Sequence, residues 1–205
     1  MLSVKNLCIE RNDKTIIEDL TFHLEGQKRL FVQGDIGTGK TTLLLALLGF
    51  VPISKGEIKL FDKICQKEKD FAPFRGIVGM CFQHSDDQLF GPTVLDDVAF
   101  GPLNQQHSRE YAYQLAEQQL ERLGINHLKD RTVHTLSGGE KNFTALAGVL
   151  AMQPKMLLLD EPTNGLDRKN IEKLTALLRE LGLPMLISSH HLGFIEKLAD
   201  EVIQL

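Results

Sequence analysis

Apolar and polar residues alternate from the start of the chain, Leu2-Ser3-Val4-Lys5-Asn6-Leu7-Cys8-Ile9-Glu10, and a period of two is the signature of a half-buried strand. Asn12-Asp13 marks a turn. Ile16-Ile17 with Leu20-Thr21-Phe22-His23-Leu24 gives a second strand region that ends at Gly26, so the opening reads as an antiparallel β patch. A third strand follows at Arg29-Leu30-Phe31-Val32-Gln33, and alternation returns over Gly56–Phe61. Gly76–Phe82 reads as a buried strand ending at Gln83, and Pro154–Asp160 as a continuous apolar strand of the kind found in the centre of a parallel sheet. Met185–Ser189 predicts another strand and Glu201–Leu205 an edge strand. The period changes in between. Ala112, Leu115, Ala116, Leu120 and Leu123 recur at helical spacing up to Gly124, and Ile171, Leu174, Leu177, Leu178 and Leu181 form a second such stripe. Gly91-Pro92 and Gly101-Pro102 are expected to break the region from His84 to about Thr135 into short pieces. The sum is an α/β core with a helical lobe inserted.

Between the third strand and the apolar run Leu43–Leu48 lies Gly34-Asp35-Ile36-Gly37-Thr38-Gly39-Lys40-Thr41-Thr42. Strand, glycine-rich loop and helix follow one another with the pattern G-x-x-x-x-G-K-T intact. Glycines let several backbone N–H groups converge on one anion, and the helix start adds its positive dipole end. Lys40 would reach the outer phosphates and the Thr41 hydroxyl would ligate Mg²⁺. This chain binds a nucleoside triphosphate.

Composition narrows the picture further. A chain of 205 residues holds one large domain, or a core with a smaller lobe. Its formal charge of −4 argues against coating nucleic acid by bulk electrostatics. Cys8, Cys65 and Cys81 are odd in number and far apart, which suits buried, inert thiols in a reducing compartment. The N-terminus lacks the apolar stretch of a signal peptide. No apolar run approaches the roughly 18–20 residues that span a bilayer, so a membrane part would come from another chain.

Leu159-Asp160-Glu161-Pro162 ends a buried strand with two adjacent carboxylates. Phosphoryl chemistry needs one acid for Mg²⁺ and a second group to orient or deprotonate water, roles that fit Asp160 and Glu161 respectively. Leu136-Ser137-Gly138-Gly139-Glu140 opens another helix. Ser137 and Glu140 read as a capping box, and the two glycines leave exposed N–H donors for an anion; both readings can hold. His190-His191 has no third ligand at convincing spacing for a metal.

Taken in order, Gly34–Thr42, Gln83, Leu136–Glu140, Met156–Pro162, Asn164–Asp167 and His190 resemble the motif set of the ATP-binding-cassette (ABC) ATPases, over nearly the whole chain. The resemblance implies a phosphate-loop NTPase fold of α/β class: a mixed central sheet, an N-terminal antiparallel β patch and an inserted α-helical subdomain. Residues 1–83 and 146–205 would form the core and 84–145 the helical subdomain. It also implies a head-to-tail dimer, of identical or different subunits, that sandwiches two ATP molecules. Gln83 would sense Mg²⁺ and the attacking water. Ser137 and Gly139, with Gly138 between them, would meet the γ-phosphate from across the interface. Asp167 would couple the two sites, and His190 would contact the γ-phosphate and position Glu161.

The stretch from Phe82 to Asn104 is similar to the ATPases of energy-coupling-factor transporters, particularly the cobalt/nickel type. In that family it lies beside the membrane subunit, and Leu89, Phe90, Val94, Val98 and Phe100 would give apolar anchors within an acidic surround. Some positions depart from the family. Arg11 replaces the usual adenine-stacking aromatic, and a guanidinium can still stack on a base. Glu140 stands for the commoner glutamine, and Phe143 for arginine. The chain ends at Leu205, without the dimerisation extension of many relatives, so pairing is expected to depend on ATP. The expected protein is the ATPase of a membrane importer for a transition-metal ion or a vitamin, with ATP and Mg²⁺ as cofactors. It would sit on the cytoplasmic face of the membrane with a transmembrane coupling subunit and a substrate-binding membrane subunit. The alternative is a soluble ABC ATPase acting on nucleic acid or ribosomes. That class usually carries two cassettes or long coiled-coil insertions.

Overall fold

The computed structural model of the chain describes residues 1–12 and 14–205. Asn12 has a left-handed φ of 51°, while Asp13, the other half of the expected turn, lies outside the described residues. Strands β1 (Leu2–Arg11) and β2 (Lys14–Leu24) pair antiparallel. β3 (Arg29–Gln33) leads through the glycine-rich loop into α1 (Lys40–Ala46), beyond which Gly49 turns the chain with a φ of 78°. β4 (Lys55–Leu60) and β5 (Lys63–Cys65) extend the antiparallel sheet, whose order is β2-β1-β4-β5. The single turn α2 (Glu68–Phe71) precedes β6 (Val78–Cys81). Three helices follow, α3 (Val94–Asn104), α4 (Arg109–Arg122) and α5 (Gly138–Ala151). The chain closes with β7 (Met156–Asp160), α6 (Arg168–Glu180), β8 (Met185–Ser188), α7 (Leu192–Leu198) and β9 (Glu201–Gln204).

The second sheet has the order β6-β7-β8-β3-β9, with every neighbour parallel and β9 at the edge. Strand directions therefore mix between two sheets rather than within the central one. Short connections permit antiparallel neighbours, whereas strand–helix–strand crossovers bring parallel strands together.

Alternation along the parallel strands splits the core in two. Leu30, Val32, Met156, Leu158 and Leu186 face α1 and the antiparallel sheet. Phe31, Leu157, Leu159, Met185 and Ile187 face the later helices. All five residues of β7 are buried, so this strand is covered on both faces. Each fully buried leucine there contributes about 2 kcal/mol before ordering entropy is subtracted.

One expected break differs from the sequence reading. Gly91-Pro92 does lie ahead of a helix start, where the Thr93 hydroxyl accepts the Asp96 N–H at 3.1 Å. Gly101-Pro102, by contrast, sits inside α3. A proline so near a helix end forfeits a single donor. Gly101 lets α3 approach Met152, whose Cγ would lie 2.5 Å from a Cβ at that position. The expected subdomain edge at 145/146 falls within the continuous helix α5, because apolar positions recur from Phe143 to Ala151 with no stop between them.

Candidate active site

Beyond β3 the loop turns through Gly37 and Gly39, with φ of 88° and 102°, conformations that favour glycine. Its inner side is tightly packed. A Cβ on Gly34 would lie 2.6 Å from Thr38 Oγ1, and one on Gly39 would lie 2.5 Å from Ile16 Cγ2 of β2. Its outer side is open, with nothing within 4 Å of a Cβ at Gly37 and Ile36 99% exposed at the crest. Thr38 Oγ1 donates to the Asp35 carbonyl at 3.1 Å and braces the turn. Lys40 is buried, and its ammonium donates to the carbonyls of Gly34 at 2.7 Å and Asp35 at 2.9 Å. The N–H groups of Lys40, Thr41 and Thr42 open α1 and have no carbonyl four residues back within the helix. Together these donors form a cradle for phosphate oxygens.

The opposing wall is the end of β7. Parallel pairing sets Asp160 against Ser188 of β8. Asp160 is 1% exposed, and both its oxygens accept hydroxyl hydrogens: Oδ1 from Ser188 Oγ at 2.5 Å and Oδ2 from Thr41 Oγ1 at 2.6 Å. A threonine hydroxyl beside a carboxylate is a pair of hard oxygen donors, the chemistry that Mg²⁺ prefers.

Glu161 leaves the strand with a left-handed φ of 46°. For a non-glycine residue such a conformation costs about 1–3 kcal/mol and persists only where neighbours over-determine it. Here the Glu161 N–H donates to the Ser188 carbonyl at 3.1 Å and to Ser188 Oγ at 2.9 Å. The turn brings the Glu161 carboxylate to 3.7 Å from Lys40 Nζ and 2.8 Å from His190 Nδ1. The His190 N–H also donates to Glu161 Oε2, at 3.2 Å. A carboxylate only accepts, so Nδ1 carries the hydrogen and Nε2 is left for other partners. Glu161 is buried while the His190 side chain is 67% exposed, so the acid lies at the floor with the imidazole above it. His191 does a different job. Its Nδ1 accepts the Phe194 N–H at 3.1 Å and caps α7, so the two histidines do not converge.

The remaining expected residues lie outside this cluster. Gln83 is exposed two residues beyond the end of β6, the strand that pairs with β7. Arg11 is exposed at the end of β1 across from Lys14, in the hairpin whose Ile16 presses on Gly39. Ser137 and Gly138 are exposed and Gly139 half-buried at the start of α5; among the described residues none is hydrogen-bonded to the phosphate loop. Asp167 caps α6 by accepting the Asn170 N–H at 2.8 Å. The starts of α5 and α6 lie side by side, since a Cβ on Gly139 would be 3.1 Å from Asn170 Nδ2. Two contributors were missed from the sequence. Ser188 bridges the acids, and Asn142 Nδ2 donates to the Pro162 carbonyl at 3.0 Å, tying α5 to the turn after Glu161. Ser188-Ser189, a polar pair ending an apolar strand beside His190, was the available signal for the first.

The expected apolar anchors separate. Leu89, Val94 and Val98 are buried in the core, whereas Phe90 and Phe100 are 60% and 45% exposed and meet edge to face at 4.5 Å. They line an open groove of about 440 Å³ with Arg75 and Met152. The acids around them are largely engaged by partners within the chain. Asp86 pairs with Lys141 at 2.5 Å, and Asp96 accepts from Tyr113 Oη at 2.6 Å. Asp97 accepts the N–H groups of Phe90 and Gly91 at 2.8 and 2.6 Å, leaving Asp87 as the acid of that stretch whose carboxylate has neither a hydrogen bond nor an ion pair among the described residues.

Known proteins resemble the chain throughout its length. The family model described as "ABC transporter" matches residues 17–164. An ABC transporter ATP-binding protein of Haemophilus influenzae is 80% identical over 205 residues, covering 100% of this chain and 94% of its own. The energy-coupling factor transporter ATP-binding protein EcfA of Methanoculleus marisnigri is 39% identical over 198 residues, covering 95% of this chain and 71% of its own. Among solved structures, cbiO1 from Clostridium perfringens, part of the ABC transporter complex cbiONQ, superposes with a TM-score of 0.89. It is 32% identical and covers 99% of this chain and 83% of its own. With the phosphate cradle facing two strand-end acids, these likenesses make the chain a member of the ABC transporter family, an ATP-binding subunit that hydrolyses ATP.

Proposed function

We propose that this subunit powers a membrane importer of the energy-coupling-factor type, taking up a transition-metal ion, cobalt or nickel, or a vitamin. Two copies, or this chain and a similar one, pair head to tail. Gly34–Thr42 of one then faces Ser137, Gly138 and Gly139 of the other across each ATP, with Asp167 linking the two sites and Arg11 stacking on the base. Thr41, Asp160 and Gln83 hold Mg²⁺, which neutralises phosphate charge when bound. Glu161 takes the proton of the attacking water, and His190 holds its carboxylate in place. Pairing excludes water, and the closed state's greater affinity for ATP drives the mechanical work.

The observation that carries the hydrolytic reading is the left-handed turn at Glu161, which places a buried carboxylate within reach of both Lys40 and His190. The transporter type is supported by the relatives named EcfA and by the likeness to cbiO1. The lobe over residues 84–145 moves as the pair closes, and the groove at Phe90 and Phe100 receives a transmembrane coupling subunit. That subunit, with a substrate-binding membrane subunit, places the ATPase on the cytoplasmic face of the membrane.

Co-expression with candidate membrane subunits, followed by uptake of cobalt, nickel and vitamins into vesicles, tests this reading. ATP-dependent uptake that disappears with Glu161→Gln is expected. Full-rate hydrolysis by a lone subunit that never pairs overturns it.

A further inference from the structure

The turn leading into α5 carries a charge arrangement that the hydrolytic cluster does not use. Glu140 stands in the first turn of α5. Its Oε2 accepts the Ser137 N–H at 2.7 Å, and its Oε1 accepts from Arg131 Nη1 at 3.2 Å. Arg131 is itself fixed. Its Nη2 donates to the Thr135 carbonyl at 2.6 Å, and its own carbonyl accepts the Val94 N–H at 2.9 Å. Ser137 Oγ accepts the Glu140 N–H at 3.4 Å and closes the capping box. The Ser137 N–H and hydroxyl, then the Arg131 and His127 charges, hold the Glu140 carboxyl below the usual range, so it is ionised at neutral pH.

An ionised carboxylate is the wrong charge at this place. A phosphate approaching Ser137 and Gly139 meets it across a few ångströms, where repulsion between like charges is strong. An uncharged amide at the same position would raise no such difficulty.

We propose that Arg131 is a positioning residue for ATP-driven pairing. Its guanidinium neutralises Glu140 and draws it back onto the Ser137 N–H, so that the start of α5 offers donors rather than net negative charge to the nucleotide of the partner copy. The proposal rests on the reading that α5 of one copy meets the ATP held by the other.

A double-mutant cycle tests it. Arg131→Gln is expected to raise the KM for ATP, and the ATP concentration for half-maximal pairing in light scattering, about tenfold with kcat little changed. Placed in the Glu140→Gln background, the same substitution should move both by less than about twofold. Arg131→Lys, which keeps the charge but cannot make the forked contact, should recover most of the loss. Equal losses in both backgrounds would mean that Arg131 acts through Thr135 and the shape of the turn, and would overturn the proposal. So would a native-background Arg131→Gln that pairs normally, or an Arg131→Lys as impaired as Arg131→Gln. Ser137→Ala separates this idea from its premise. Intact pairing in that variant means that α5 does not meet the nucleotide, and both fail. Lost pairing with no coupling in the cycle removes only the role of Arg131.

Discussion

Ser188 donates its hydroxyl hydrogen to Asp160 at 2.5 Å, and the same oxygen accepts the Glu161 N–H at 2.9 Å. One fully buried hydroxyl thus sets the direction of a candidate metal ligand and anchors the strained turn of a candidate base. Ser188→Ala leaves Asp160 with one partner fewer in a dry site, at a cost of about 1–3 kcal/mol. The expected result is a lower melting temperature together with a roughly tenfold fall in kcat at nearly unchanged KM, as for a lost orienting contact. Equal kcat in single-turnover assays would show that the acids hold themselves.

Glu161→Gln keeps the size of the side chain and removes its ability to take a proton. Nucleotide binding should persist while turnover falls by about 10²–10⁴, the range for a positioned base. Undiminished turnover would contradict the role.

Arg29 opens β3 and grips Asp200, just ahead of β9, with Nε–Oδ2 and Nη2–Oδ1 contacts of 2.9 Å each; the Arg29 N–H adds a third at 2.8 Å. The Arg29 side chain is the main reason that the Asp200 carboxyl lies below its usual range. The folded value is thus lower than the unfolded one. The stabilisation is complete above the ordinary carboxylate value near pH 4 and is lost as pH falls through the lowered value. Because Asp200 is over a third exposed, Asp200→Asn should cost only about 1 kcal/mol at pH 7. Urea titrations at pH 7 and pH 3 should show the two proteins converging in acid.

Phe90 and Phe100 stand exposed against each other over the groove beside Met152. Replacing both by alanine removes apolar surface without opening the core, so the melting temperature should change little while co-purification with a coupling subunit falls sharply. Undiminished co-purification would place the membrane partner elsewhere.

Burial pushes the Cys81 thiol up to about 12, and Cys65 is raised for the same reason. Neither has appreciable thiolate at pH 8. Alkylation of the native protein, followed by mass spectrometry, should label the half-buried Cys8 ahead of both. Rapid labelling of Cys81 without denaturant would refute its burial.

Much of this was legible in the sequence because local chemistry and global position agreed. β3 falls on the residues predicted for it, and the glycine-rich loop could only turn as it does with glycine at 37 and 39. Lys40, Thr41, Asp160, Glu161 and His190 converge because the strands carrying them are neighbours in a parallel sheet. What could not be read was pairing between distant segments. Asp86 looks like a free acid until Lys141, 55 positions away, is found beside it. Leu89, Val94 and Val98 look like anchors until the lobe closes over them. Gly101-Pro102 looks like a break until its place late in a helix removes most of the penalty.

Ile16 belongs to the antiparallel sheet, yet its methyl group occupies the space where a side chain on Gly39 would go. The hairpin therefore packs directly against the N-cap of α1, and the two are in contact across the loop. Amide exchange in β2 should slow in step with that of Lys40–Thr42 when nucleotide is added. A ligand held at the loop would then be felt as rigidity along a strand that never touches it.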